Sequence, residues 1–418
     1  MSGSHENAGF ASGADFSACL RQSQTYQAAL GLAWATAQGG SSILGLLFER
    51  SPLEIWKASL ADLVSWGVSH RAAAGFTELR GRFVLADLNA QMEAANVRFV
   101  PYFSSEYPAE LLHLRHPPAG LFIKGPREIW EAFLGAVRIT VVGTRKATSY
   151  GVQVTESFVR AFVEAGVTIV SGMALGIDGV AHRATLAAGG LTVAVLGSGI
   201  DVVYPRSNLR LYQRLAAEGT VISEFPPGMP PAQWTFPRRN RLLAALGDGV
   251  LVTEGSITSG ALQTADWALE LGRPVLAVPG SIMGQNHSGC NRLLYDGAIV
   301  ALDPREAVED FLLVSRMQRT GRGPLKWSRA SASQGQCKIG AKATDNPVSA
   351  AGDDPESGMA RILQALTDAP SSADALARRA GLSLRQVTAM LGYLEIEGAV
   401  ARAGPGHYVR VLGHAKQG

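Results

Sequence analysis

A chain of 418 residues carrying 38 Lys/Arg against 35 Asp/Glu is long enough for two or three domains at roughly 150 residues each. Its formal charge of +3 excludes attraction of a polyanion by net charge and leaves that task to local patches. Apolar residues make up 47% and aromatics 7%, with 47 glycines, the composition of a close-packed α/β interior.

The N-terminal stretch, residues 1–24, is Gly/Ser/Ala-rich and is expected to be disordered. It lacks the basic-then-apolar order of a secretory signal, and no run of about 18 apolar residues follows anywhere. Cys19, Cys290 and Cys337 are far apart and form no C-x-x-C pair, which argues against a disulfide framework or structural zinc and predicts a cytoplasmic protein without a metal. From residue 25 to 97 apolar residues recur at three- and four-residue spacing, as in "SPLEIWKASLADLVSW", predicting a small helical module. A bridge with mixed strand signals and prolines leads into a core spanning 98–314.

From Arg138 the pattern alternates. "RITVVGTR", "VTIVSG", "LTVAVLGSG", "TVISEF", "GVLVTEG" and "PVLAVPG" are apolar on both faces, as buried parallel strands are. Helical stretches ending near Gly separate them. This predicts an α/β fold with a Rossmann-like, doubly wound, mostly parallel sheet. Residues 315–354 read as a basic flexible linker, with seven Lys/Arg and one acid, Asp345, between Ser315 and Pro347. Residues 355–413 give three helices and a short hairpin, with Gly381 in the turn and Ser383 as an N-cap, predicting a winged helix-turn-helix.

Ligands of open α/β sheets bind beyond the carboxyl ends of the strands. The loops there carry Gly143, Thr144, Arg145 and Lys146; Ser171 and Gly172; Gly197, Ser198 and Gly199; and Ser259 with Gly260. Gly, Ser and Thr near helix N-termini suit phosphate. After the fourth strand comes "FPRRNR": Phe236 offers a face to a base, Arg238, Arg239 and Arg241 offer forks to phosphate, and Asn240 offers bonds to a base edge or to its own loop. Arg241 is expected to pair with Glu224 or Glu254. A short cationic loop beside an aromatic suits a single strand better than a duplex.

Other chemistries lack their signatures. The first turn has no G-x-G-x-x-G, and no P-loop motif occurs, so neither an NAD nor an ATP cofactor is expected. His182 lies four residues after Asp178, a spacing that suits an intrahelical bond or cap support better than acid–base chemistry. Glu224 and Glu254 end strands without an evident nucleophile.

The ordered blocks "VVGTRKATSYG", "SGMALGIDGVAHRATL", "VLGSGIDVVYP", "ISEFPPG", "FPRRNRLLAAL", "SGALQTADWALELGRPVLAVPG" and "GCNRLLYDGA" resemble the DNA processing protein A family (DprA/Smf), strongly from Tyr102 to Leu312. The helical module (SAM or helix-hairpin-helix-like) and the winged helix match that family's accessory domains more loosely. The resemblance implies a non-enzymatic protein that binds incoming single-stranded DNA, protects it, and helps load the RecA recombinase during natural transformation, as a homodimer through the Rossmann-like core. It carries DNA binding onto the loop and "FPRRNR" residues named above. The module's "AQGGSSILGLL" lacks the G-x-G hairpin that grips DNA backbone, and the third C-terminal helix has one basic residue, Arg385, against Glu395 and Glu397, so neither accessory domain is assigned DNA binding. The fold and the "SGALQTA" block are also similar to cytokinin-activating nucleotide phosphoribohydrolases, an enzyme alternative whose P-G-G-x-G-T-x-x-E signature is not found here.

Overall fold

The computed structural model describes residues 23–39, 41–319, 355–366, 371–382, 386–387, 390–391, 394, 399–404 and 407–410. It divides into two compact units, Met1–Ser315 and Arg316–Gly418. The segment expected to be disordered and the basic linker fall almost wholly outside the described residues, as do Cys19, Cys337, Ser383, Arg385, Glu395 and Glu397.

In the first unit the chain opens with helices α1 (Gln24–Ala37), α2 (Pro52–Lys57), α3 (Leu60–Ser65), α4 (His70–Arg82) and α5 (Leu85–Ala94). Ser51 and Ser59 each start a helix with a reciprocal capping box, to Glu54 and Asp62, which satisfies two otherwise orphaned amides apiece. This helical segment is not a closed body. Its apolar side chains, Leu30, Ile55 and Phe76 among them, continue into one core with Phe99, Phe122, Leu211 and Val221 of the α/β part.

The sheet follows: β1 (Arg98–Pro101), β2 (Gly120–Lys124), α6 (Arg127–Gly135), β3 (Arg138–Val142), α7 (Ser149–Glu164), β4 (Thr168–Ser171), α8 (Ile177–Ala187), β5 (Thr192–Val195), α9 (Leu209–Glu218), β6 (Thr220–Ser223), α10 (Thr235–Leu246), β7 (Gly249–Val252), α11 (Gly260–Glu270), β8 (Val275–Ala277), α12 (Ser288–Tyr295), β9 (Ile299–Val300) and α13 (Pro304–Arg319). Helix α13 runs past residue 315, where the sequence places the start of a linker. Among the described residues the nine strands are ordered β1-β2-β6-β5-β4-β3-β7-β8-β9. The six apolar runs become β3 to β8, joined in parallel along that order. The proline-rich bridge supplies β1 and β2; β2 pairs antiparallel with both β1 and β6.

Alternate residues of each strand serve opposite layers, the period-two pattern of a strand. Ile139, Val141 and Leu251 face Phe158, Phe162 and Phe311 on one side. Val142, Val250 and Val252 face the apolar end of α10, Leu242 to Leu246, on the other. Both faces are covered, so strands β3 to β7 are fully buried along their lengths.

In the second unit the described residues hold α14 (Pro355–Ala365), β10 (Ser371–Ser372), α15 (Ala373–Ala380), β11 (Val400–Gly404) and β12 (His407–Arg410), with a three-stranded sheet ordered β10-β12-β11. Helix α15 stops at Gly381, whose φ of 64° is left-handed, the usual helix terminator. This is the winged helix that the sequence predicts. No helix among the described residues is long and apolar enough to cross a membrane.

Candidate nucleic-acid interface

The strand order reverses between β3 and β7: chain connections from β3 run outward through β4, β5 and β6, then return to β7 on its other side. Their parallel register aligns Val142 with Val252, so the two following loops leave the sheet at one level and diverge. Such a switch point opens a crevice. A cleft of about 590 Å³ lies there, lined by Gly143 to Lys146, Tyr204, Phe236, Arg239, Asn240, Ser256 and Thr258 to Ala261 among others. A larger groove of about 820 Å³, between α1, α5 and the β1–β2 edge, lies where β1 begins and β2 ends; none of its lining residues belongs to the loops of the switch point.

The loop Gly143–Lys146 is pinned at Thr144 through both of its backbone groups. The Thr144 amide donates to the Glu254 carbonyl at 2.7 Å, and the Thr144 carbonyl accepts from the Ile177 amide at 3.1 Å. This leaves no room for side chains at two positions: a Cβ on Gly143 would lie 2.6 Å from the Glu254 carbonyl oxygen, and one on Gly176, at φ +71°, only 2.2 Å from that of Thr144. Arg145 and Lys146 remain exposed at the tip. Across the cleft α11 starts with Ser259 as N-cap, its hydroxyl accepting from the Ala261 amide at 3.3 Å. The first turn of this helix therefore points its positive end at the same space.

The "FPRRNR" segment is not the loop that the sequence suggests but the first two turns of α10. Pro237 sits in the first turn, where a missing amide costs nothing. Helical phase then divides the arginines. Arg238 and Arg241, three residues apart and so on one face, converge on buried Glu224. Arg238 reaches its Oε2 with Nη2 at 3.0 Å, and Arg241 makes a short contact to the same oxygen. Arg238 also donates to the Thr36 carbonyl at the end of α1 (2.7 Å), and Arg241 to the His116 carbonyl (2.8 Å). The pairing expected for Arg241 is present, and neither arginine lines the cleft.

Arg239 points the other way, into the cleft floor. It is 4% exposed, and its Nη1 donates to the carbonyls of Gly172 (2.6 Å) and Val195. Burial lowers its pKa to about 10, partly offset by nearby Asp178; the guanidinium stays charged at neutral pH. Burial likewise raises the pKa of Asp178, against the pull of Arg239, the Ala174 amide, Arg145 and the Gly172 amide. Three cations, Arg145, Lys146 and Arg239, thus face one acid in the cleft lining. Asn240 ties α10 to α11, its Nδ2 donating to the Gly260 carbonyl at 3.3 Å.

Five expected residues lie beneath the cleft rather than in its wall: Ser171, Gly172, Gly197, Ser198 and Gly199. Ser171 Oγ donates to the Val141 carbonyl and Ser198 Oγ to that of Val202. The Gly172 amide is bonded to Asp178 and the Gly199 amide to the Met229 carbonyl. A Cβ on Gly172 would strike Arg239 at 2.2 Å and one on Gly197 would meet Phe236 at 2.9 Å. The smallness of Gly172 and Gly197 lets the floor close up under α10, and the Gly172 and Gly199 amides are already taken.

The aromatic wall also differs. The Arg145 guanidinium lies over the Phe236 ring at 5.2 Å, covering a face that the sequence assigns to a base. Beside it stands Tyr204, 47% exposed and 5.5 Å from Phe236 between ring centroids. Tyr204 was not a sequence candidate. Its one signal is an aromatic at the end of "GIDVVY", in the loop that follows a buried strand.

The acid–base candidates are structural. His182 bonds Thr192 through Nδ1 at 2.7 Å rather than Asp178, and burial pushes its pKa down to about 3, so it stays neutral. Glu254 is buried and accepts from the Thr148 amide and hydroxyl, each at 2.9 Å, anchoring the start of α7. Cys290 is buried, with its thiol pushed up to about 12 mainly by desolvation. No cluster of three potential metal ligands occurs among the described residues.

Fold and site together define a doubly wound α/β protein with a cationic switch-point cleft, built without a dinucleotide fingerprint, and a winged helix in a second unit. Residues 98–312 match the family model of DNA recombination-mediator protein A, and residues 346–406 that of the DprA winged helix domain. Protein Smf of Escherichia coli is 33% identical over 382 residues, which is 90% of this chain and 95% of that protein. DNA processing protein DprA of Bacillus subtilis is 41% identical over 202 residues, 48% of this chain and 67% of that protein. The X-ray structure of DNA processing protein A from Streptococcus pneumoniae superimposes with a TM-score of 0.60 at 31% identity, covering 69% of this chain and 98% of that one. The chain belongs to the DNA recombination-mediator protein A (DprA/Smf) family.

Proposed function

We propose that the chain binds single-stranded DNA without sequence preference in the switch-point cleft and serves recombination as a mediator. The observation that carries this reading is the charge arrangement of the cleft: Arg145 and Lys146 exposed at one lip, Arg239 held in the floor by two backbone carbonyls with Asp178 the one acid in the lining, and the N-terminus of α11 opposite. Phosphates are neutralised by the first three groups and by the helix end. Tyr204 and the Arg145–Phe236 stack offer unstacked bases a surface that accepts any of them. The cleft lies between loops and presents no projecting helix or ribbon, the elements that read duplex grooves.

The finer steps belong to the same proposal. Bound strand is shielded from nucleases and passed to the RecA recombinase during transformation, by a homodimer formed through the α/β core in the cytoplasm. Family membership supports the mediator role. Catalysis is not part of the reading, because His182, Glu224 and Glu254 are each committed to buried structural bonds. Anisotropy of labelled oligonucleotides tests it: the single strand is expected to bind at least about tenfold more tightly than a duplex of equal length. Equal affinity for both, or release of free base from nucleoside monophosphates, would contradict it and favour the phosphoribohydrolase alternative.

A further inference from the structure

Next to the cleft, at the same end of the sheet, two loops carry apolar side chains that nothing covers. Ile257 follows β7 and is 60% exposed; Ile282 and Met283 follow β8 and are 91% and 88% exposed. Single exposed apolar residues are ordinary, but neighbouring ones mark contact surfaces. The loop carrying Ile257 is tied to the start of α12, which directly follows the loop carrying Ile282 and Met283: the Ile257 amide donates to Ser288 Oγ at 3.1 Å and the Gly289 amide to the Gly255 carbonyl at 2.9 Å. On the far side Tyr150, 42% exposed, packs edge-on against His287 at 5.3 Å and donates its hydroxyl to the Pro279 carbonyl at 2.8 Å.

The surface continues the cleft, since Ser256 and Thr258, on either side of Ile257, are cleft-lining residues. It also changes character there. Neither 255–264 nor 278–291 contains an Asp, Glu, Lys or Arg, whereas the cleft concentrates cations. An uncharged, acid-free shelf beside a cationic trough matches the two sides of a single strand, whose phosphates seek charge and whose bases seek apolar faces.

We propose that Ile257, Ile282 and Met283, backed by Tyr150 and His287, form a shelf on which unstacked bases of the bound strand lie as it leaves the cleft past Ser256–Thr258. The proposal rests on the single-strand reading of the cleft. It makes the footprint longer than the cleft and gives the contact an apolar component that salt does not screen.

The test uses the full-length chain, an Ile282→Ser/Met283→Ser double variant, and two oligonucleotides of equal length, one normal and one with abasic residues throughout. Both substituted side chains are almost fully exposed, so folding is unaffected. The variant is expected to bind the normal strand about three- to tenfold more weakly. Its salt slope stays unchanged, because no phosphate contact is lost. On the abasic strand the two proteins bind alike. Wild-type affinity for the normal strand in the variant, or an equal loss on the abasic strand, would overturn the shelf. So would a variant whose only change is in sedimentation, which would make these loops a protein contact. A wild-type chain that binds neither oligonucleotide overturns the cleft reading and the shelf together, and is distinguished from the other outcomes by that fact.

Discussion

Arg238, Arg239 and Arg241 stand within four positions of each other yet do unlike work. Two are paired to one buried carboxylate, and the third alone reaches the cleft. A buried ion pair adds little net stability, but removing one member strands the other. Glu224 holds two guanidinium groups at once, with side-chain exposure of 1%. Glu224→Gln is therefore expected to destabilise the fold by about 3–5 kcal/mol, read as a lower urea midpoint. Its folded fraction should bind single strand as wild type does, since Glu224 lies outside the cleft. A stability unchanged within error would refute the pairing. From the sequence an acid partner for Arg241 was legible, with Glu224 and Glu254 both open, and the structure selects Glu224. The division of the other two was not, because it depends on helical phase, and Pro237 reads as a loop residue unless the segment is recognised as a helix start. Tyr204 escaped for another reason: its place beside Phe236 is made through space, by a loop and a helix start about thirty residues apart in the chain.

At the scale of elements, the cleft is shaped by three pieces that leave no slack: the β3–α7 loop, the start of α8 and α10. Gly176 caps α8 at φ +71° and ψ −129°, a conformation that is costly for any residue with a Cβ, at roughly 1–3 kcal/mol. Gly176→Ala adds a collision with the Thr144 and Arg145 backbone. It is expected to displace the Gly143–Lys146 loop and weaken single-strand binding by about tenfold. Gly189→Ala is the control, since Gly189 also has positive φ (+70°) but open space around it; it should lose some stability and no affinity. If both variants bind equally well, the loop's position does not matter to the site. The six central strands were readable because burial on both faces forces near-continuous apolar runs. The edge pair β1–β2 was not: these strands are short, separated by a proline-containing stretch, and the antiparallel pairing of β2 with β6 follows from no local pattern.

For the whole molecule, the near-neutral net charge means that affinity has to come from the cleft and not from a diffuse field. Domain order followed from the change of periodicity near residue 98 and the basic run after 315. The shared core of the helical segment and the sheet did not, because periodicity shows that a face is buried without showing against what. The same holds for Ser171, Gly172 and Gly197 to Gly199, whose types suit phosphate and close packing alike; only the placement of α10 above them decides in favour of packing. It also decides which arginine to test. Arg239→Ala would remove bonds to two carbonyls in the floor and confuse stability with binding, whereas Arg145 and Lys146 are exposed.

The most direct measurement is the salt dependence of single-strand affinity for wild type and an Arg145→Ala/Lys146→Ala variant. Each phosphate neutralised on a single strand contributes about 0.7 to the slope of log affinity against log salt. The account predicts an affinity loss of at least about tenfold at low salt and a slope shallower by about 1.4. An unchanged slope with unchanged affinity would show that the strand does not enter the switch-point cleft.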